Sequence, residues 1–284
     1  MSKDPFELDS NRGYLHLAPF EEMDLRLTAG FTTRLRGASR ESFAERNMAF
    51  GIGDEDDNVL ENRRLFGQEI GFSLSQWIVP EQVHEVSVRK VTKTACGLGA
   101  KEKSTEIKST DALYTDQADV LLVSFYADCV PIYVFVPSRG IVGLAHAGWR
   151  GTVGRIGVRL IDEIIKSEGI STNDIFVAIG PSISGPCYEV DNKVIRHVKE
   201  LGMNLSKDVV TETSGQRYQL ALKSLNQDLL LAYGILPEHI FLSNHCTYQD
   251  PSLFYSYRRD GANTGRMISY IGIKGTGEQG GDVR

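Results

Sequence analysis

With 284 residues, 41% of them hydrophobic and 24% charged, the chain has the composition of a globular protein with ample material for a large core. A formal net charge of −6 and the lack of any long basic tract argue against a nucleic-acid binder, and no apolar run reaches the roughly 18–20 residues of a membrane span. Four widely spaced cysteines, at 96, 129, 187 and 246, form no C-x-x-C pair and point to a reducing, cytoplasmic setting rather than a disulfide framework.

Met1 to Asn11 is charged and has no apolar core, so no signal peptide is expected. Residues 1–12 and the tail from Gly275 to Arg284 are polar or glycine-rich and are expected to fray. Nothing between them resembles a linker or a repeat. One domain over 1–284 is therefore expected, with an ordered core of about 13–274.

The first strand is expected at Leu25 to Thr33, followed by a basic loop, Arg34 to Arg46, and a turn-rich stretch ending in an acidic cluster. A helix follows from Val59 to Ile70 and stops at Gly71. Val59, Phe66 and Ile70 form its apolar stripe, and Arg63 completes the i, i+4, i+7, i+11 series. An arginine there either snorkels to water or aims an anion-binding group into a site. Trp77 to Val88 reads as a strand with a turn near Pro80 and carries Gln82, Val83 and His84. Lys90 to Lys108 is polar loop, which leaves Cys96 incidental. Asp111, in Thr110-Asp111-Ala112-Leu113, is either an orienting carboxylate or a turn residue.

Two short β-branched runs follow, Asp119 to Ala127 and Ile141 to Ala145; the first leads to Cys129 and the second to His146. Such runs read as buried strands, whose polar end residues face a cleft. Thr152 is expected to cap a helix reaching Ser167 and stopping at Gly169, with its free N–H groups near His146. Beyond it come a strand at Asp174 to Ile179, a helix marked by Leu222, Leu225, Leu229 and Tyr233 and ended by Gly234, and a strand from His239 to Thr247. Phe254 to Arg259 and Arg266 to Ile273 read as two strands around the turn Asp260 to Gly265. Mixed sheets with helices outside fit this order better than strict βα alternation, which makes the fold α/β of the α+β kind.

Two imidazoles and a thiolate, His84, His146 and Cys129, suit Zn²⁺ with one position left for water or substrate. Their separations of 45 and 17 residues suit a site assembled from several strand ends, though a buried cysteine beside a histidine is the commoner occurrence. His16, His197 and His239 read as surface residues, and His245 and Cys246 as neighbours pointing to opposite faces of a strand. Arg150, Arg258 and Arg259 either line the cleft or pair with carboxylates.

Gln82-Val83-His84, Thr110-Asp111-Ala112-Leu113, Ala127-Asp128-Cys129-Val130-Pro131-Ile132, His146-Ala147-Gly148-Trp149-Arg150-Gly151 and Ser256-Tyr257-Arg258-Arg259-Asp260-Gly261 occur in this order. Together they resemble the laccase-domain family, once called polyphenol oxidases and now regarded as purine nucleoside phosphorylases. The resemblance spans Phe31 to Ile271. It implies a zinc held by His84, Cys129 and His146, and a four-layer α/β/β/α fold similar to the catalytic domain of cytotoxic necrotising toxins. It also implies phosphorolysis of adenosine, inosine and methylthioadenosine, and deamination of adenosine. The family's substrate-site arginine falls on Arg63, within Glu61-Asn62-Arg63. Glu85 stands where glycine is common, which puts the loop beside the metal in question.

On this reading Arg63, with Arg150 and the helix start after Gly151, places phosphate, and Asp128 or Asp111 orients a ligand histidine. Three alternatives remain at this point. One is a copper-dependent oxidase on the same ligands. Another is a metal-free hydrolase with Cys129 as nucleophile and His146 as base. The third is a binding module whose zinc is purely structural.

Overall fold

A computed structural model describes residues 3–276. The chain opens with β1 (Phe6–Asp9) and β2 (Tyr14–Leu17), turns through α1 (Ala18–Met23) and returns as β3 (Leu27–Thr32). Helix α2 (Asp56–Ile70) leads to the short β4 (Trp77–Ile78), and a long irregular stretch contains β5 (Val88–Lys90) and ends at β6 (Ala112–Thr115). Three seven-residue strands follow, β7 (Val120–Tyr126), β8 (Val130–Val136) and β9 (Ile141–Ala147). The chain then makes α3 (Trp149–Val153), α4 (Ile156–Glu168), β10 (Phe176–Ile179), β11 (Glu189–Asp191) and α5 (Asn192–Lys199). The remainder is β12 (Val210–Glu212), β13 (Arg217–Leu220), α6 (Leu222–Tyr233), β14 (Ile240–Leu242), α7 (Tyr257–Asp260) and β15 (Met267–Ile273).

Two six-stranded sheets form, ordered β1-β2-β3-β15-β7-β4 and β14-β10-β8-β9-β6-β5, with a small sheet β11-β13-β12 beside them. Both large sheets are mixed: β4 with β7, β5 with β6 and β10 with β14 pair in parallel, the rest antiparallel.

Side-chain alternation decides which face meets what. In β15, Ile268 and Tyr270 pack outward on Phe66 and Ile70 of α2, while Met267, Ile271 and Ile273 point inward. In β8, Tyr133 and Phe135 meet those inward residues, while Ile132, Val134 and Val136 pack on Leu160 and Ile164 of α4. Apolar side chains are therefore buried at three successive interfaces, and the layers run α/β/β/α. Each large apolar side chain sealed there contributes about 1.5–3 kcal/mol.

The expected elements differ from this in six places. The strand at Trp77 to Val88 is instead two fragments in different sheets, because the chain crosses between the sheets after Pro80, which has no N–H to offer a ladder. The helix expected from Thr152 begins at Trp149 and breaks at Gly154 and Arg155, the latter at φ 62°. At the break a Cβ on Gly154 would lie 2.4 Å from Val86 Cγ1, so close packing needs the bare glycine. Phe254 to Arg259 is not a strand: Ser256 Oγ accepts the Arg259 N–H and caps α7. Only Ile240–Leu242 of the expected strand His239 to Thr247 is extended in a sheet, and its continuation is tied instead to the Asp4 carboxylate through Asn244 N–H at 2.6 Å. Within the N-terminal residues expected to fray, Phe6–Asp9 forms β1 and is hydrogen-bonded to β2. At the other end Gly275 N–H donates to Asp119, and residues 277–284 of the tail expected to fray lie outside the described residues.

Candidate metal centre

His84 lies in the crossing from β4 to β5, Cys129 in the turn from β7 to β8, and His146 near the end of β9. On β9 the inward set is Val142, Leu144 and then His146, so the same alternation that fills the space between the sheets also aims this imidazole. His84 has φ 61°, a left-handed conformation uncommon for a residue with a Cβ. It is held there by the Asp111 carboxylate, which accepts N–H groups from Val83, His84 and Glu85 at 3.2, 3.0 and 2.9 Å. Glu85 fits because its φ is not left-handed and its N–H, not its side chain, closes the loop. Gln82 ties the loop to β7, donating to Phe125 O at 3.0 Å and accepting Phe125 N–H at 2.7 Å.

Asp111 also accepts from His146 Nδ1, 3.1 Å away. That bond leaves the His146 Nε2 lone pair free to face a ligand. Burial pushes the Asp111 carboxyl up, but His146 and the loop N–H groups outweigh it and hold the pKa below the ordinary range. The Cys129 turn is fixed by Asp128, at φ 100°, whose carboxylate accepts Thr247 Oγ1 and the Arg258 N–H, both at 2.7 Å. Of the two carboxylates expected to orient a histidine, Asp111 does so and Asp128 organises the neighbouring loops instead.

The ligand atoms of His84, Cys129 and His146 all lie within 4.8 Å of one another. The imidazole centroids are 4.7 Å apart with planes at 85°. Gly148 closes the cluster: a Cβ there would sit 3.1 Å from Cys129 Sγ and 3.3 Å from His84 Cδ2. Burial alone would raise the Cys129 thiol, but His146 and His84 bring its pKa down to about 6. Burial would lower His146, yet the thiolate and Asp111 lift it to about 9. Without a metal these shifts favour a Cys129 thiolate beside a His146 imidazolium. A Zn²⁺ or copper ion would take the place of the imidazolium proton, and the sulfur with two oriented nitrogens is a donor set that fits either. Among the described residues the cluster has three protein donors, so a fourth position is left to water or substrate.

The three side chains line a cavity of about 810 Å³. Phe50, Phe125, Tyr188 and Tyr257 supply aromatic walls; Lys103, Arg258 and Arg266 supply cations, and Glu81, Glu106 and Asp128 acids. Arg63 is wholly buried and reaches this cavity only through the rings it supports. Its guanidinium lies 4.1 Å from the Phe50 centroid and 5.0 Å from that of Phe125, and donates to the carbonyls of Met48, Gly99 and Ala100. Its Nη2 is buried with no partner among the described residues. Arg150 stacks on Trp149 at 4.6 Å and lies outside the lining. Arg258 lines the cavity, whereas Arg259 is spent on the carbonyls of Thr247, Tyr248 and Phe254 and on Asp260.

Of the histidines expected at the surface only His197 is fully exposed; His16 and His239 are half-buried, and His245 and Cys246 lie beyond the end of β14 rather than on opposite faces of a strand. His16 meets Glu21, His197 meets Glu200, His239 stacks on Phe176, and His245 and Cys246 bond in different directions, to Phe6 O and Ser184 N. Sequence reasoning missed Arg266, Glu106, Lys103 and the aromatic walls. Of these, Tyr257 stood inside a quoted motif, while Glu106 and Lys103 come from a polar stretch with no periodic signal.

A family model described as "Multi-copper polyphenol oxidoreductase laccase" matches residues 28–274. The purine nucleoside phosphorylase YlmD of Bacillus subtilis (strain 168) is 42% identical over 87% of this chain and 88% of its own length. Its namesake from Geobacillus stearothermophilus (strain DSM 13240 / CIP 106956 / 10) is 44% identical over 86% and 89%. A crystal structure of YlmD from Geobacillus stearothermophilus superposes with a TM-score of 0.91 at 41% identity, covering 96% of this chain and all of that one. The Bacillus licheniformis hypothetical protein YfiH gives the same TM-score and coverage at 37% identity. The chain belongs to this laccase-domain family, the family of the YlmD and YfiH proteins.

Proposed function

We propose that the chain is a zinc-dependent purine nucleoside phosphorylase acting on adenosine, inosine and methylthioadenosine, with adenosine deaminase activity. One observation carries the reading: three metal-binding side chains meet at the wall of a cavity that also offers aromatic faces and cations. Relatives named purine nucleoside phosphorylase support it. The cavity is large enough for a nucleoside beside a phosphate.

Breaking the C1′–N9 bond builds positive charge on the ribose, so phosphate must be held beside C1′ while the departing purine takes up an electron pair. Arg258 and Arg266 suit the phosphate, since the guanidinium fork matches its oxygens. Phe50, Phe125, Tyr188 and Tyr257 suit the flat faces of a purine. Arg63 keeps Phe50 and Phe125 in place from behind, and Asp111 sets the tautomer of His146. When bound by His84, Cys129 and His146, a zinc ion supplies Lewis acidity, which serves both charge on the leaving base and hydrolytic loss of an amino group.

Incubating the zinc-loaded protein with inosine and phosphate should release hypoxanthine and ribose 1-phosphate. His84→Ala should abolish release and His16→Ala should not; wild-type protein that releases none overturns the reading. The depressed thiol of Cys129 favours one alternative, a metal-free hydrolase. Iodoacetamide separates the two, because a zinc-bound thiolate is protected until the metal is chelated. A multi-copper oxidase is disfavoured by the histidines: the other four are engaged elsewhere, on Glu21, Glu200, Phe176 and Phe6.

A further inference from the structure

We infer that Glu106 is the acid that protonates the departing purine; the assignment rests on the phosphorolysis reading above. Three carboxylates line the cavity, and two are already engaged. Asp128 accepts from Thr247 and Arg258, and Glu81 from Ser109 N–H, with Lys108 Nζ 3.6 Å away. Glu106 is only 8% exposed, yet among the described residues its carboxyl group has no hydrogen bond or ion pair; its one hydrogen bond there is from its backbone N–H to Lys103 O. A carboxyl left unpaired on the wall of the cavity is available to whatever enters it.

The surrounding backbone holds the group in place. Ile107 N–H donates to Val79 O at 3.0 Å and Glu81 N–H to Ile107 O at 2.8 Å, so Glu106 is braced by the same segment that leads to His84. Gly99, at φ 72°, lies beneath its stem: a Cβ there would come within 2.9 Å of Glu106 Cγ and 2.7 Å of Val79 Cβ. Burial raises the Glu106 pKa, and the nearby Glu81 adds to the rise. Lys103, Arg63 from α2 and Lys108 oppose it without cancelling it. The protonated form is thus more abundant near neutral pH than on a surface glutamate.

A phosphate oxygen bonds to C1′ as the C1′–N9 bond breaks and its electron pair moves into the purine. The Glu106 O–H proton passes to N7, and the base leaves neutral. Monohydrogen phosphate loses its own proton on becoming the ribose ester, and through solvent that proton restores the carboxyl.

The test compares inosine with 7-methylinosine, whose N7 already carries a methyl group and takes no proton as the base leaves. In zinc-loaded Glu106→Gln, kcat for inosine should fall by about 10²–10⁴-fold while kcat for 7-methylinosine stays within about threefold of wild type. The alkaline limb of the wild-type kcat profile with inosine should be absent in Glu106→Gln. Equal losses on both substrates, or no loss on either, would overturn the assignment. Wild-type protein that cleaves neither nucleoside would overturn the phosphorolysis reading, and this one with it. A thermal midpoint close to that of wild type shows that Glu106→Gln folds, and retained cleavage of 7-methylinosine shows it independently.

Discussion

Asp111 does two jobs with one carboxylate: it gathers the N–H groups of the His84 loop and holds the ring of His146. Asparagine has one acceptor oxygen where aspartate has two, so Asp111→Asn must release one of these duties. Zinc affinity, read by competition with a chromophoric chelator, is expected to fall by about 10–100-fold. Unchanged affinity would remove Asp111 from the metal's support. Residue identity showed that Asp111 was either an orienting group or a turn residue, and it is both. Arg63 was legible in a different way. Helical spacing placed it on the inward face of α2, where it is, but its acceptors are carbonyls of Met48, Gly99 and Ala100 in segments without periodicity.

Elements with a sharp apolar period and a glycine stop were readable at their ends: α2 ends at Gly71, α4 at Gly169 and α6 at Gly234, all left-handed. The short strands β4, β5 and β14 were not, because two or three residues become a strand only through the neighbour that pairs with them. Helix α4 packs tightly on β9, and a Cβ on Gly143 would come 3.2 Å from Leu160 Cδ2. Leu160→Ala should therefore cost about 2–5 kcal/mol in urea unfolding, since little can collapse into the space left behind. Helix α6 carries Lys223, whose ammonium donates to the carbonyls of Ser243 and His245 beside a smaller cavity of about 380 Å³. Burial brings its pKa down to about 8, against the pull of Cys246 and Asp4. An unfolded lysine titrates near 10.4, so between about pH 8 and 10 the unfolded chain binds more protons and this residue's contribution to stability rises with pH. The change in urea midpoint from pH 8 to pH 10 should be more favourable in wild type than in Lys223→Met. Equal changes would show that the amine titrates normally.

At the scale of the whole molecule, strand count and order pointed to mixed sheets with helices outside, and the three buried interfaces make that a four-layer stack. The fold does not depend on the His84, Cys129 and His146 cluster in the way a zinc finger depends on its ligands, because those interfaces are filled by far more side chains than the cluster contains. Far-UV circular dichroism should survive chelation, while the thermal midpoint falls. The location of that loss follows from the connections. His84 and Cys129 both ride on segments that pass from one large sheet to the other, and His146 belongs to the second sheet. An ion gripping all three fastens the two sheets together at one rim, like a clasp on the open side of a folded card. Stripped of it, the molecule should gape there and nowhere else. Amide exchange would quicken around residues 80–87 and 127–129 while β8 and β9 stay slow, and proteases would find that edge in proportion to the metal missing.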